Sequence, residues 1–178
     1  MLERPHVGEP LALDLVNTRW MSRGNLVDFL EDEQNVQTWL AENGFSEPAQ
    51  EAWPALLETR DTLRASLTGP RPEAERRLNA VLEHGAVRLA VRDGRPERTV
   101  RAEPGWLAAW STAGQYVELI DGQADRVRQC AHPDCVLFFL DTSRNGTRRW
   151  HSMETCGARS KAQRHYHRAQ GRYTEGDA

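Results

Sequence analysis

The sequence predicts an α+β fold, a mostly helical N-terminal domain with one β-hairpin followed by a small, ligand-rich C-terminal module. Three observations predict it. Apolar residues recur at helical spacing through most of the first 125 residues, one stretch changes to strict alternation around Asp93-Gly94, and all three cysteines fall between positions 130 and 156 of the 178 residues. Domains cluster at roughly 100 to 150 residues. The expected division is therefore 1–125, a module over 126–172, and a disordered tail at 173–178.

The elements follow in order. In "LALDLVNTR", Leu11 to Arg19, the apolar positions fit a strand or a buried helical turn, and helix is the preferred reading. Val36, Trp39 and Leu40 predict a helix that Gly44 ends, and Leu56, Leu63 and Leu67 predict another between Pro54 and Gly69-Pro70. Pro72 opens a third, with Leu78, Val81 and Leu82 on one side and Gly85 as its left-handed terminus. Val87, Leu89 and Val91 then alternate with Arg88, Ala90 and Arg92 before Asp93-Gly94, a pair suited to the positive-φ turn of a hairpin. Trp106, Trp110, Ala113, Val117 and Ile120 step by three and four, a helical stripe that Gly122 can end. Five of the six Trp precede residue 111, and at helical spacing they read as core. No repeat or low-complexity tract appears.

Hydrophobic residues make up 39% of the chain, enough for a core, and charged residues 28%, which points to a solvated surface. "MLERPHVGEP" lacks an apolar h-region, and nothing approaches the roughly 20 apolar residues of a spanning helix. A cytoplasmic protein with no membrane segment is expected, and three clustered thiols in a reducing compartment indicate metal or redox chemistry rather than disulfides. The net charge of −3 conceals a segregation. Residues 1–125 carry 13 Arg against 21 Asp and Glu, whereas residues 126–178 carry 10 Lys and Arg against 5 acids. That asymmetry suggests that only the C-terminal part meets a polyanion.

The ligand-type residues run Cys130-x4-Cys135, then fifteen residues, then His151-x4-Cys156. Two closely spaced pairs joined by a short insert suit a tetrahedral zinc site, each pair clamping the ion from one loop. Cys130, Cys135, His151 and Cys156 are the expected Zn2+ ligands, with His132, His165 and His167 competing for the imidazole place. The insert "VLFFLDTSRNGTRRW" carries an apolar run, then Asn145-Gly146, then a return to Trp150, which predicts a hairpin. After Cys156, Ala158, Ala162, Tyr166 and Ala169 share one helical face, and Arg164, Arg168 and Arg172 another. Knuckle, hairpin, then helix is the order of a treble-clef-like zinc finger. Its core candidates are few, namely Val136, Phe138, Phe139, Leu140, Trp150, Met153 and Tyr166, so without metal residues 126–172 are expected to be largely unfolded.

Catalytic readings of the same cluster fit less well. A thiol enzyme needs an activated Cys beside a base, and no Cys-x-x-Cys exists. A zinc deaminase needs His-x-Glu before Pro-Cys-x-x-Cys, which "HPDC" does not provide. A zinc hydrolase needs a metal-bound water and a base such as Asp134 or Asp141, whereas four protein ligands leave no open position.

At these residues the chain resembles the CGNR zinc-finger family, through Cys130, Cys135, Asp141, Ser143, Arg149, Trp150, Ser152, Met153, Cys156, Gly157, Arg159 and Lys161. It departs at His151, a Cys in the family, and at Ala158, the family's Asn. Imidazole preserves the ligand count, removes one negative charge and makes binding less tight in acid. "LALDLVNTR" is similar to the opening of the ABATE domain at Leu13, Asp14, Asn17 and Thr18. The resemblance implies a stress-linked transcription regulator with a DNA-binding finger and no enzymatic activity. Arg144, Arg148, Arg149, Arg159, Lys161, Arg164 and Arg168 are the expected phosphate contacts. Asp14, Asn17 and Thr18 either shape the chain through hydrogen bonds or sense a small-molecule or protein effector. The competing expectation is a zinc-stabilised protein-interaction module that does not touch DNA.

Overall fold

The computed structural model describes residues 3–163, 165 and 166. Helix α1 (Leu11–Val16) resolves the ambiguous opening, because Ala12, Leu13, Leu15 and Val16 are all fully buried, and its one charged residue, Asp14, is paired with Arg4 and Trp39. It packs against α3 (Ala49–Thr68) and α5 (Leu107–Gln123). Helix α2 (Glu33–Glu42) begins at Asp32, whose carboxylate accepts from the Gln34 and Asn35 N–H groups. It ends at Gly44, φ +78°, followed by the Phe45 N–H on the Leu40 carbonyl at 2.8 Å.

Helix α3 starts five residues before Pro54 rather than at it. The proline forfeits one intrahelical bond near the helix start, and burial of Ala49 and Ala52 offsets the loss. Helix α4 (Arg71–Leu82) has Pro72 in its first turn. In α5 Trp110 and Ala113 are buried as predicted, together with Ala109, Thr112, Tyr116 and Leu119, whereas Val117 and Ile120, expected on the same stripe, are each 38% exposed.

Two hairpins lie in this part of the chain where one was predicted. β1 (Arg19–Ser22) pairs with β2 (Asn25–Asp28) through Arg23 (φ +50°) and Gly24 (φ +83°). The predicted hairpin is β3 (Gly85–Arg92) with β4 (Arg95–Ala102), and Asp93 and Gly94 both have positive φ in its turn. Gly85 has no left-handed role and opens β3 instead. Its small size is what matters, because a Cβ there would lie 2.7 Å from Cδ1 of Trp110 and 2.9 Å from the Arg101 carbonyl oxygen. Gly85→Ala should therefore cost about 1–3 kcal/mol in urea unfolding, and an unchanged midpoint would refute the packing argument.

Arg60, fully buried on α3, donates to both oxygens of Asp28 at 2.6 and 2.7 Å and to the Thr18 hydroxyl at 3.0 Å. Partial burial pushes the Asp28 carboxyl up, but hydrogen bonds and charge from Arg60 and Arg19 outweigh it and hold its pKa below the ordinary value. A lowered folded pKa contributes stability that is complete above the unfolded carboxyl's pKa of about 3.9 and is lost as pH falls through the folded value. The stability gap between the wild type and Asp28→Asn should accordingly shrink between about pH 5 and pH 3. A gap independent of pH would remove Asp28 from the acid limb.

The C-terminal module opens with β5 (Val127–Gln129), which pairs with β6 (Phe138–Leu140) across the Cys130 to Cys135 turn. The expected hairpin within the insert does not form. Side chains satisfy its backbone instead of a strand ladder: Asp141 accepts from the Ser143 and Arg148 N–H groups, Arg126 donates to the Ser143 carbonyl, and Arg128 to the Gly146 carbonyl. Leu137, Phe138 and Phe139 are buried, whereas Met153 and Tyr166, both expected in the core, are exposed. No helix among the described residues is long and apolar enough to cross a membrane.

Candidate metal centre

Four elements of local structure bring the predicted ligands together. Cys130 follows β5, and Cys135 closes a turn with its N–H on the His132 carbonyl at 3.0 Å. His151 comes in on the returning loop. Cys156 sits in a wide π-type turn, Met153–Gly157, capped by the Ser152 hydroxyl, which accepts from the Thr155 N–H at 3.1 Å. The ligand atoms of Cys130, Cys135, His151 and Cys156 all lie within 4.8 Å of one another, and all four residues are buried. The Cys135 sulfur and Nδ1 of His151 are 3.5 Å apart.

Zn–S bonds of about 2.3 Å in a tetrahedron place donors about 3.8 Å from each other, so this cluster is close to a closed four-ligand shell. Electrostatics gives the same answer. The hydrogen bond from Cys135 holds the Cys130 thiol far below its ordinary pKa. That same bond and then burial push Cys135 up, while burial and then the Cys130 charge raise Cys156. Thiolates crowded this closely oppose one another's ionisation, and a divalent ion offsets that repulsion. The residues present therefore fit zinc.

The competing histidines stand apart. Nδ1 of His132 faces the Asp134 N–H at 3.2 Å, His165 is exposed, and His167 lies outside the described residues. Arg159, three residues past the last thiol, donates to the Cys156 sulfur at 3.2 Å, a charge-assisted bond that a thiolate rewards. Asp141, considered as a general base, accepts from the Ser143 hydroxyl at 2.6 Å, which lowers its pKa, and from two backbone N–H groups. Both its oxygens are occupied in shaping the loop.

The basic residues divide into two groups. Arg144, Arg149, Arg159 and Lys161 are exposed. Arg148 turns inward: its guanidinium donates to the Trp150 and His151 carbonyls and lies 4.7 Å over the Phe139 ring. Arg164 and Arg168 lie outside the described residues. Arg126 and Arg128, which hold the return loop, were not singled out from the sequence, where only their position before the first Cys pointed to them.

Asp14, Asn17 and Thr18 lie together in the core, each with partners. Asp14 accepts from Arg4 at 2.6 Å and from the Trp39 indole at 2.7 Å. Thr18 donates to the Leu15 carbonyl at 2.7 Å. The Asn17 amide donates to the Phe138 carbonyl at 2.8 Å and accepts from the Phe138 N–H at 2.9 Å, copying a strand's pairing from a side chain. Arg64 donates to the Val136 carbonyl and Glu9 accepts from the Leu140 N–H. The joint between helical core and cysteine module is thus written in hydrogen bonds, and Cys130, Cys135 and Cys156 pack into the same apolar cluster as the helices.

The comparisons with known proteins agree with this geometry. The CGNR zinc finger matches residues 126–169. No curated protein matches the chain. The ABATE family, whose description reads "Putative stress-induced transcription regulator", matches residues 9–123. With more than half of its length inside that match, the chain belongs to the ABATE family and carries a CGNR zinc finger behind the ABATE domain.

Proposed function

We propose that this protein is a zinc-dependent transcription regulator whose C-terminal finger, residues 126–172, contacts DNA. The observation that carries the reading is a buried four-donor cluster in a module where Arg144, Arg149, Arg159 and Lys161 are each exposed. In this reading zinc fixes the fold, and the cations supply a sequence-independent attraction to phosphate. Arg164 and Arg168 are further candidates for phosphate contact, whereas Arg148 serves the loop. Four filled ligand positions and an occupied Asp141 favour a structural metal over a hydrolytic one.

Affinity for a duplex should fall with salt at a slope of about −0.9 per phosphate contact, measured by fluorescence anisotropy between 50 and 200 mM salt. A flat response, or no binding at low salt, overturns the reading. The second reading, a module that works by protein contact alone, gains support from the Asn17–Phe138 and Arg64–Val136 bonds to its own N-terminal domain. It is the one left standing if no duplex binds.

For an effector, Asp14, Asn17 and Thr18 offer little, since their polar atoms are engaged internally. A better place is a cleft of about 440 Å³ between α3, α4 and α5, with apolar walls from Leu67, Leu78, Tyr116 and Ile120 and charge from Arg71 and Glu75.

A further inference from the structure

We propose that the β3–β4 hairpin is a second DNA-contacting element, a two-stranded ribbon that lays Arg88, Arg92, Arg95 and Arg101 against duplex phosphates. This goes beyond the finger and does not rest on it.

Pairing fixes the geometry. Side chains directly opposite across an antiparallel pair share a face, and faces alternate along each strand. The register sets Ala86 opposite Arg101, Arg88 opposite Thr99, Ala90 opposite Glu97 and Arg92 opposite Arg95, so all four arginines lie on one side. The ribbon is anchored at its root, where Gly85 meets Trp110 and the His84 ring stacks on Trp106 with centroids 3.6 Å apart. Residues 86–96 are exposed throughout.

The charges make little sense for the fold alone. Like charges directly opposite are destabilising, yet Arg92 faces Arg95. Arg92 reaches Glu97 at 3.2 Å, and among the described residues Arg88, Arg95 and Arg101 have no ion pair or hydrogen bond through their side chains. The hairpin carries five Arg against Asp93 and Glu97, while the rest of residues 1–125 carries 8 Arg against 19 acids. The acidic domain thus holds one concentrated basic strip.

Shape and composition favour duplex DNA as the occupant. The major groove, about 12 Å wide, admits a two-stranded ribbon. A membrane would select for interfacial Trp or Tyr, and the ribbon has neither. Its reverse face exposes Val87, Leu89 and Val91. Eight residues at about 3.3 Å each make each strand roughly 26 Å long.

The test uses the full-length, zinc-loaded protein, a random-sequence 20-base-pair duplex, and salt titrations of the wild type, of R88Q/R95Q/R101Q and of R144Q/K161Q. The ribbon variant should bind at least about tenfold more weakly at 0.1 M salt, with a slope shallower by about 2.7 for three lost contacts. These residues are exposed, so circular dichroism and urea unfolding should show an unchanged fold. If the ribbon variant weakens and the finger variant does not, the ribbon stands and the finger reading falls. An unchanged ribbon variant overturns the proposal whatever the finger variant does, and so does absence of duplex binding by the wild type. Loss of binding to phosphatidylserine vesicles in the ribbon variant, with duplex affinity intact, reassigns the strip to a membrane surface and also overturns it.

Discussion

Removing the metal from the intact protein should abolish the folded structure of residues 126–163. Structural zinc contributes roughly 10–16 kcal/mol in finger peptides, and this segment buries only Leu137, Phe138 and Phe139 as large apolar side chains besides its ligands. Chelation would leave a buried imidazole and three crowded sulfurs without a cation, inside the apolar cluster that also holds α1 and α3. Hydrogen exchange should show near-complete loss of amide protection over 127–140 and 149–157, partial loss in α1, and little change in α4. Cys156→Ala should reproduce the chelated pattern, and His151→Ala should retain three thiolates and bind more weakly. Protection that survives in a chelated, fully thiol-titratable sample would refute the metal's role.

Asn17→Ala should produce the second largest loss. It leaves the Phe138 N–H and carbonyl unpaired in a site where Asn17 is 1% and Phe138 2% exposed. At about 1–3 kcal/mol for each stranded group, the cost is about 2–6 kcal/mol, readable in urea unfolding of the zinc-loaded protein. Asn17→Asp should recover little, because a carboxylate keeps the acceptor for the Phe138 N–H but sets a second oxygen against the Phe138 carbonyl. A loss below about 1 kcal/mol would mean that water or rearrangement replaces the amide.

These expectations rest on different amounts of sequence information. The clustering of Cys130, Cys135, His151 and Cys156 was legible because their spacing alone pairs them, and the β3–β4 turn because Asp93-Gly94 names its own φ values. The β1–β2 hairpin was not, since its strands have four residues each and Arg23 is not a turn-forming type. The exposure of Val117 and Ile120 on α5 was missed because both look like core, yet Ile120 borders an open cleft. The insert misled for another reason. Asn145-Gly146 marks a real bend, with Gly146 at φ +60°, but guanidinium groups of Arg126 and Arg128 take the carbonyls that a strand would have used. Asn17 was visible as a residue of interest, and no local pattern could have announced a partner 121 positions away.

Ala158 stands where the CGNR signature has Asn. It is exposed, and the turn there is capped from Ser152, so the substitution leaves no gap in the described fold.

The amide clasp between Asn17 and the Phe138 backbone has a thermodynamic corollary. Whatever tightens one side of that clasp must tighten the other by an equal free energy, since coupling between sites is reciprocal. Metal loading should raise the helical domain's resistance to heat, and a molecule lodged among α3, α4 and α5 should raise the affinity for the ion.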